Sequence, residues 1–340
     1  MCCSDGGPIP GGEVNTYSDN SGCAAMKKIR LGISTCLLGR NVRYDGGHKQ
    51  DRFLTDTLGK YVQYVPVCPE VECGLGVPRE SMRLVGDPAA PRLVTTRTGK
   101  DLTEKMVRWA RERVRELEKE NLCGFIFKSD SPSSGMERVK VYGEKGKAEK
   151  KGVGIFAKIL MEHFPLLPVE EDGRLHDPVL RENFIERIFA LERWQEFLKH
   201  GASRQGLVEF HACHKLLLLA HSEKHMRSMG RLIAGIKDLP IRDACLKYQV
   251  FFLEALSIKS TPRKHSNVLQ HMMGYFKKEL SADEKKELQE TIDQYRGGMV
   301  PLIVPMTLIA HYVRKYDQPY LRNQWYLNPH PLELQLRNHA

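Results

Sequence analysis

Hydrophobic periodicity changes once along this 340-residue chain, and that change limits it to two differently built parts. Residues 29 to about 168 alternate strand-like and helix-like runs. IRLGIS leads through the Gly-rich loop RYDGGHK and a short helical stretch around Phe53 to Leu58 into the strand YVPV. RLVGDPAAPRLVTT reads as two short strands joined by a Pro-containing turn. Asp101 to Glu120 reads as an amphipathic helix with Val107, Ala110, Val114 and Leu117 on one face, and GFIFK as a buried strand. VKVY, a basic loop and a helix over Ile155 to His163 complete the unit. Such alternation predicts an α/β fold with a Rossmann-like layered sheet. Beyond PVEEDGRLHDP the segments FIERIFALERWQEFL, LVEFHACHKLLLLAH, RDACLKYQVFFLEALS, NVLQHMMGYFKKEL and ADEKKELQETIDQYRGG all carry helical period. Thr261-Pro262 marks a helix start and Gly297-Gly298 a helix exit. The expected organisation is a disordered leader over 1–27, a Rossmann-like domain over 28–170, a linker over 171–182 and an all-α domain over 183–335.

Burial is not limiting at this length, which suits two domains. The longest apolar stretch, Met299 to Ala310, contains Pro301 and Pro305 and falls far short of the roughly 20 residues that span a bilayer. The leader lacks an apolar core of the secretory kind, and Met26 is an alternative start. Nine cysteines without a secretion signal point to a reducing, cytoplasmic setting in which thiols bind metals or do chemistry. The net charge of +10 favours anionic partners such as phosphates or RNA. RWARERVRELEKE and GEKGKAEKKG, however, are interleaved with acids or lie in a loop, which reads as solvated surface and supports nucleic acid only weakly. Nothing in the sequence sets an oligomeric state.

Cys36 and Cys68 each follow a strand-like run at a turn. The carboxyl ends of strands in an open α/β sheet face the ligand crevice, so two thiols there share one space. Thiolates ligate both iron–sulfur clusters and zinc, and free cysteines also serve as small buried hydrophobes, so residue type alone leaves all three open. No CxxC pairs occur, which disfavours a zinc ribbon or a bacterial ferredoxin site. Cys73 follows Cys68 closely, with turn-forming Gly74 and Gly76 behind it, and is expected to reach the same mouth. Cys123 begins its strand, about 17 Å from the carboxyl end at roughly 3.3 Å per residue, and is expected away from it. Cys2, Cys3, Cys23, Cys213 and Cys245 are read as incidental.

STCLLGRNVRYDGGHK, VPVCPEVECGLGVPRE and GFIFKSDSPSSG resemble, in order and spacing, the three motif blocks of the thiouracil desulfurase family over residues 29 to 168. The resemblance implies a 4Fe-4S cluster held by three cysteines, with a fourth iron open to the sulfur of a thiolated uracil. Sulfur removal without net redox change follows, on thiouracil or 4-thiouridine monophosphate. Cys36 and Cys68 match the first two ligands. Ser134 stands where shorter members carry the third, and Cys73 stands where they carry glycine, so the resemblance transfers the third corner to Cys73.

Within that resemblance Glu70 is the expected proton shuttle and Ser131 the hydrogen-bond donor at the ring. Arg43, Lys49, Arg79 and Lys128, with Ser133 and Ser134 of the serine turn, are expected to bind the substrate and its phosphate. The competing class is a structural zinc or iron–sulfur protein whose helical part binds RNA or a protein partner. Gly152 to Ala157 (GVGIFA) resembles half a dinucleotide fingerprint but follows a lysine-rich loop, which argues against that role. His211, His214, His221 and His225 are expected on one helix face, as packing or partner contacts before metal ligands. FHACHKLLLLAHSEKH, NVLQHMMGYFKKEL and YLNPHPLEL resemble the YbgA-like helical family, which implies a fold and little about function.

Overall fold

The computed structural model describes residues 28–143 and 146–338, so the leader expected over 1–27 lies outside the described residues. The elements run β1 (Ile29–Ser34), β2 (Val62–Val67), α1 (Pro69–Glu72), β3 (Met82–Val85), β4 (Arg92–Thr95), α2 (Thr103–Glu118), β5 (Gly124–Phe127), β6 (Val139–Tyr142), β7 (Ala148–Gly152), α3 (Ile155–His163) and β8 (Val169–Glu171). Among the described residues, helices then follow without further strands: α4 (Pro178–Lys199), α5 (Arg204–His221), α6 (Glu223–Ala234), α7 (Ile241–Ser257), α8 (Pro262–Met273), α9 (Ala282–Arg296), α10 (Ile303–Lys315) and α11 (Pro319–Arg322).

The first sheet has the order β2-β1-β5-β8 and is parallel throughout, with Ile29 opposite Val62, Leu31 opposite Gly124 and Phe125 opposite Val169. Both of its faces are apolar, as a parallel sheet covered on two sides requires. Val65, Val67, Phe125 and Phe127 pack with Ala110, Val114 and Leu117 of α2 and Phe156 and Leu160 of α3. Ile29, Leu31, Ile33 and Ile126 pack with Phe184, Ile185, Ile188 and Leu191 of α4. The apolar cluster continues from α4 into the other helices, so one core crosses the segment read as a linker. A second, mixed sheet, β4-β3-β6-β7, closes over the remaining edge of α2 around Leu84, Leu93, Met106 and Val141.

Four sequence expectations need correction. The basic loop after VKVY contains β7, an edge strand paired antiparallel with β6, whose residues 148–151 are exposed and therefore carry no apolar signal. The segment 171–182 ends β8 and starts α4: Asp177 caps the helix by accepting from the Val179 and Leu180 N–H groups at 2.9 and 3.0 Å, with Pro178 at its first position. Met106, and not Val107, joins Ala110, Val114 and Leu117 on the buried face of α2. The four histidines do not share one helix, because Ser222 ends α5 and caps α6, its hydroxyl accepting from the His225 N–H at 3.4 Å.

Candidate active site

Each strand of the parallel sheet hands its next residues to one mouth: Thr35 and Cys36 after β1, Cys68 after β2, Lys128 after β5 and Asp172 after β8. A cavity of 450 Å³ opens there, lined by Cys36, Arg43, Lys49, Cys68, Glu70, Arg79, Lys128, Ser131 and Ser134 among others. Volumes of this size hold a small ligand. Burial, and then the Glu70 carboxylate, push the Cys36 thiol up to about 11 and the Cys68 thiol up to about 12.

Glu70 is the centre of the polar wall. Its carboxylate accepts from the Ser133 hydroxyl at 2.5 Å and from the Cys68 thiol at 3.5 Å, and the Arg79 guanidinium lies 3.4 Å away. Arg79 is fixed in turn, donating to the carbonyls of Val42 and Gly76 at 3.0 and 2.9 Å. Ser131 Oγ lies 3.0 Å from Ser133 Oγ and accepts from the Ser134 N–H at 3.1 Å. Ser133 is fully buried and touches Glu70.

The serine turn is held from behind by α3. Phe156 and Ala157 N–H groups donate to the Ser133 carbonyl at 2.9 and 3.2 Å, Ile155 to Pro132 at 3.2 Å, and Gly154 to Gly135 at 2.8 Å. A Cβ on Gly154 would lie 2.5 Å from the Ser133 carbonyl carbon, so glycine is required for this close approach. GVGIFA therefore serves to seat the loop.

Cys73 is not among the residues lining the cavity. The chain after Cys68 makes one helical turn, closed by Glu72 N–H to the Cys68 carbonyl at 2.9 Å and by Cys68 N–H to the Glu72 carboxylate at 2.7 Å. Five residues at about 100° each leave Cys73 turned roughly 140° from Cys68. Its thiol donates to the Glu70 carbonyl at 3.4 Å, and its side chain packs with Leu84, Leu93 and Met106. The reversal at Gly74 (φ +79°) comes one residue too late to return Cys73 to the mouth. Among the described residues no three His, Cys, Asp or Glu side chains gather closely enough to hold a metal ion. Two soft thiol donors at the mouth thus fit a cluster at two corners. Cys123 lies at the amino end of β5, its thiol 3.2 Å from Glu192 and 3.4 Å from Gln195 of α4.

Sequence reasoning missed Asp172. It accepts from the Lys128 ammonium at 2.9 Å and from the Ser129 N–H at 2.7 Å. Burial opposes ionisation, yet these two contacts hold its carboxyl below the usual range. The signal was VEED directly after an apolar run, hidden by the reading of that stretch as a linker. In the helical part His211 faces the Tyr248 hydroxyl at 3.2 Å, His214 the Phe210 carbonyl at 2.7 Å and His221 the Glu186 carboxylate at 2.8 Å.

A parallel α/β sheet gathers two thiols, a hydrogen-bonded carboxylate and a serine turn in one pocket at its carboxyl edge, and a helical region follows it. The family described as 2-thiouracil desulfurase matches residues 31–172, and a protein family of unknown function, DUF1722, matches residues 215–331. The uncharacterized protein YbgA of Escherichia coli (strain K12) is 35% identical over 153 residues, which is 45% of this chain and 90% of that protein. Among solved structures, a 4Fe-4S-dependent thiouracil desulfidase, TudS, is 29% identical, with 44% of this chain and 95% of that chain covered and a TM-score of 0.37. The chain belongs to the family of YbgA and carries a 2-thiouracil desulfurase domain ahead of its DUF1722 region.

Proposed function

We propose that this protein removes sulfur from a thiolated pyrimidine, of the 2-thiouracil or 4-thiouridine monophosphate class, with a 4Fe-4S cluster at the strand-end cavity. The observation that carries the reading is the cavity wall itself: two thiols and Glu70 facing one space within the residues that match the 2-thiouracil desulfurase family. Cys36 and Cys68 would hold the cluster, and Cys73 would serve as the third ligand only with the turn closed by Glu72 opened and its side chain drawn out of the Leu84–Leu93–Met106 cluster. Bound there, the cluster supplies a Lewis-acidic iron that accepts sulfur.

The remaining work falls to the chain. Water oxygen replaces sulfur at the ring carbon, the carbon–sulfur bond breaks, and both protons of the water leave with sulfur as hydrogen sulfide, so no electrons are exchanged. Glu70 collects the proton from the attacking water, and Arg79 and Ser133 hold its carboxylate at the wall. Ser131 donates a hydrogen bond to the ring, and Ser134 anchors Ser131 through its N–H. Arg43, Lys49 and Arg79 face the space a phosphate would take, while Lys128 is neutralised by Asp172 and serves mainly to shape the mouth. The nine cysteines support a reducing, cytoplasmic setting.

The test is anaerobic reconstitution followed by incubation with 2-thiouracil and with 4-thiouridine monophosphate. About four irons and four acid-labile sulfides per chain, a brown chromophore and sulfide released in step with the oxygenated base are expected. Zinc alone, with no sulfide release from either compound, would overturn the proposal.

A further inference from the structure

A second cavity lies in the helical region, apart from the thiols. It measures 140 Å³, and its wall includes Val179, Glu182 and Glu186 of α4, His221 of α5, His265 of α8 and Tyr295 of α9. Its charged groups pair with one another. Arg337, also in the wall, donates to Glu182 at 2.9 Å and to Glu186 at 3.0 Å. Both ring nitrogens of His221 face acceptors, the Ile258 carbonyl at 2.7 Å and the Glu186 carboxylate at 2.8 Å, so the ring donates from each. Burial pushes Glu182 up to about 7. Above that pH two carboxylates meet two cations in the wall, and no net charge is left to hold an ion.

What stays open in the wall is uncharged. The Tyr295 hydroxyl and His265 Nε2 have no hydrogen-bond partner among the described residues, although each residue is only 8% exposed. His265 spends its other ring nitrogen on the Tyr326 hydroxyl at 2.9 Å. Ser260 Oγ, in the same wall, is buried and likewise without a partner among the described residues. Buried polar groups are seldom left unpaired. Water alone meets these poorly: at roughly 30 Å³ each, about four or five molecules fill the cavity. The side chains of Val179, Pro262 and Leu302 offer them no hydrogen bond. A cavity of about 150 Å³ holds a benzene-sized ring. The wall therefore matches a ring of that size with an apolar body and an edge that both donates and accepts hydrogen bonds. Val179 is 45% exposed, so the cavity opens to solvent beside the first turn of α4.

We propose that this cavity is a binding site for a small neutral cyclic amide, whose N–H and C=O edge meets Tyr295, His265 and Ser260 while its ring lies against Val179, Pro262 and Leu302. The site stands apart from the desulfurase reading, since none of that chemistry passes through it.

The test is calorimetric titration of the full chain at about pH 8, above the Glu182 value, with the six-membered lactam δ-valerolactam, and with acetate and methylguanidinium as charged probes. The lactam is expected to bind once per chain with a Kd below about 1 mM, and each ion at least about tenfold more weakly. Tyr295→Phe removes only the hydroxyl and should weaken the lactam about two- to tenfold. Val179→Trp, at the exposed rim, should close the entrance and abolish binding. Arg79→Ala at the thiol mouth and Val208→Trp, at a 41% exposed position of α5, should bind as wild type does. Circular dichroism establishes that each variant folds, and Ser260→Ala replaces Tyr295→Phe if the latter does not. Failure of the wild type to bind the lactam, tighter binding of either ion, or unchanged affinity in both Val179→Trp and the hydroxyl variant would overturn the site. Loss of binding in Arg79→Ala alone would place the lactam at the thiol mouth and overturn it equally.

Discussion

Gly154→Ala is the smallest change that should move the serine turn. The new Cβ would lie 2.5 Å from the Ser133 carbonyl carbon, 2.6 Å from its oxygen and 2.7 Å from the Ser134 nitrogen. Ordinary contact begins near 3.4 Å, so backbone must retreat by 3.4 − 2.5 = 0.9 Å. Neither side is free to do so. The turn is tied to α3 by hydrogen bonds of 2.8 to 3.2 Å from Gly154, Ile155, Phe156 and Ala157, and Ser133 is tied to Glu70. Overpacking costs about 1–3 kcal/mol and each strained hydrogen bond about 0.5–1.5 kcal/mol more, for a loss of roughly 2–4 kcal/mol. A displacement near 1 Å at a positioning group also costs about a hundredfold in rate.

Urea unfolding gives the stability change, and sulfide release from 2-thiouracil gives the rate. Gly230→Ala is the control: it lies inside α6 with nothing within 4 Å of the added methyl, so it should gain about 0.5–1 kcal/mol from helix propensity. Wild-type stability and turnover in Gly154→Ala would refute the argument that α3 sets the position of Ser131, Ser133 and Ser134.

Three further outcomes are expected. Glu70→Gln keeps size and charge-transfer absorption but removes the titrating proton, so turnover should fall about 10²–10⁴-fold; normal turnover would remove Glu70 from the proton path. Cys73→Ser should lose iron or leave the cluster oxygen-labile while Ser134→Ala retains it, since an alkoxide suits iron poorly beside thiolate; full iron and sulfide in Cys73→Ser would mean the third ligand is misassigned. On acidification the helical part should weaken before carboxylates with ordinary values titrate. Burial lowers His211 and His330 to about 4 and His265 to about 3, and holds His214 well below its ordinary value. Their folded values lie below the unfolded value near 6.5, so the stability they contribute is complete above about pH 6.5 and is lost as pH falls, at about 1.4 kcal/mol per pH unit for each. Glu182, pushed up to about 7 by burial, takes up a proton in the folded state and offsets one of the four. A urea midpoint that stays flat between pH 6.5 and 5 would contradict neutral burial of these rings.

What the sequence discloses about this protein depends on whether a residue's role is local. β5 is legible because all four residues of GFIF are buried and the run is continuous, and Cys36 and Cys68 are legible because strand polarity alone delivers them to the mouth. Cys73 was placed there on the strength of the glycines after it, but its direction is set by the one helical turn before it. Glu72 locks that turn by reaching back to the Cys68 N–H, a contact that spacing does not reveal. β7 escaped because an exposed edge strand has no apolar face to show. The segment 171–182 was read as a linker for its prolines, glycine and acids, yet Asp177-Pro178 is a helix start and Asp172 a partner of Lys128. These residues matter because α4, the helix they begin, covers Leu31, Ile33 and Ile126 of the parallel sheet and Phe252 and Leu256 of α7 within the same apolar cluster. The strands that present the thiols are thus buried by a helix of the second region, which makes the geometry of the mouth depend on a part of the chain that, among the described residues, contributes none to its lining.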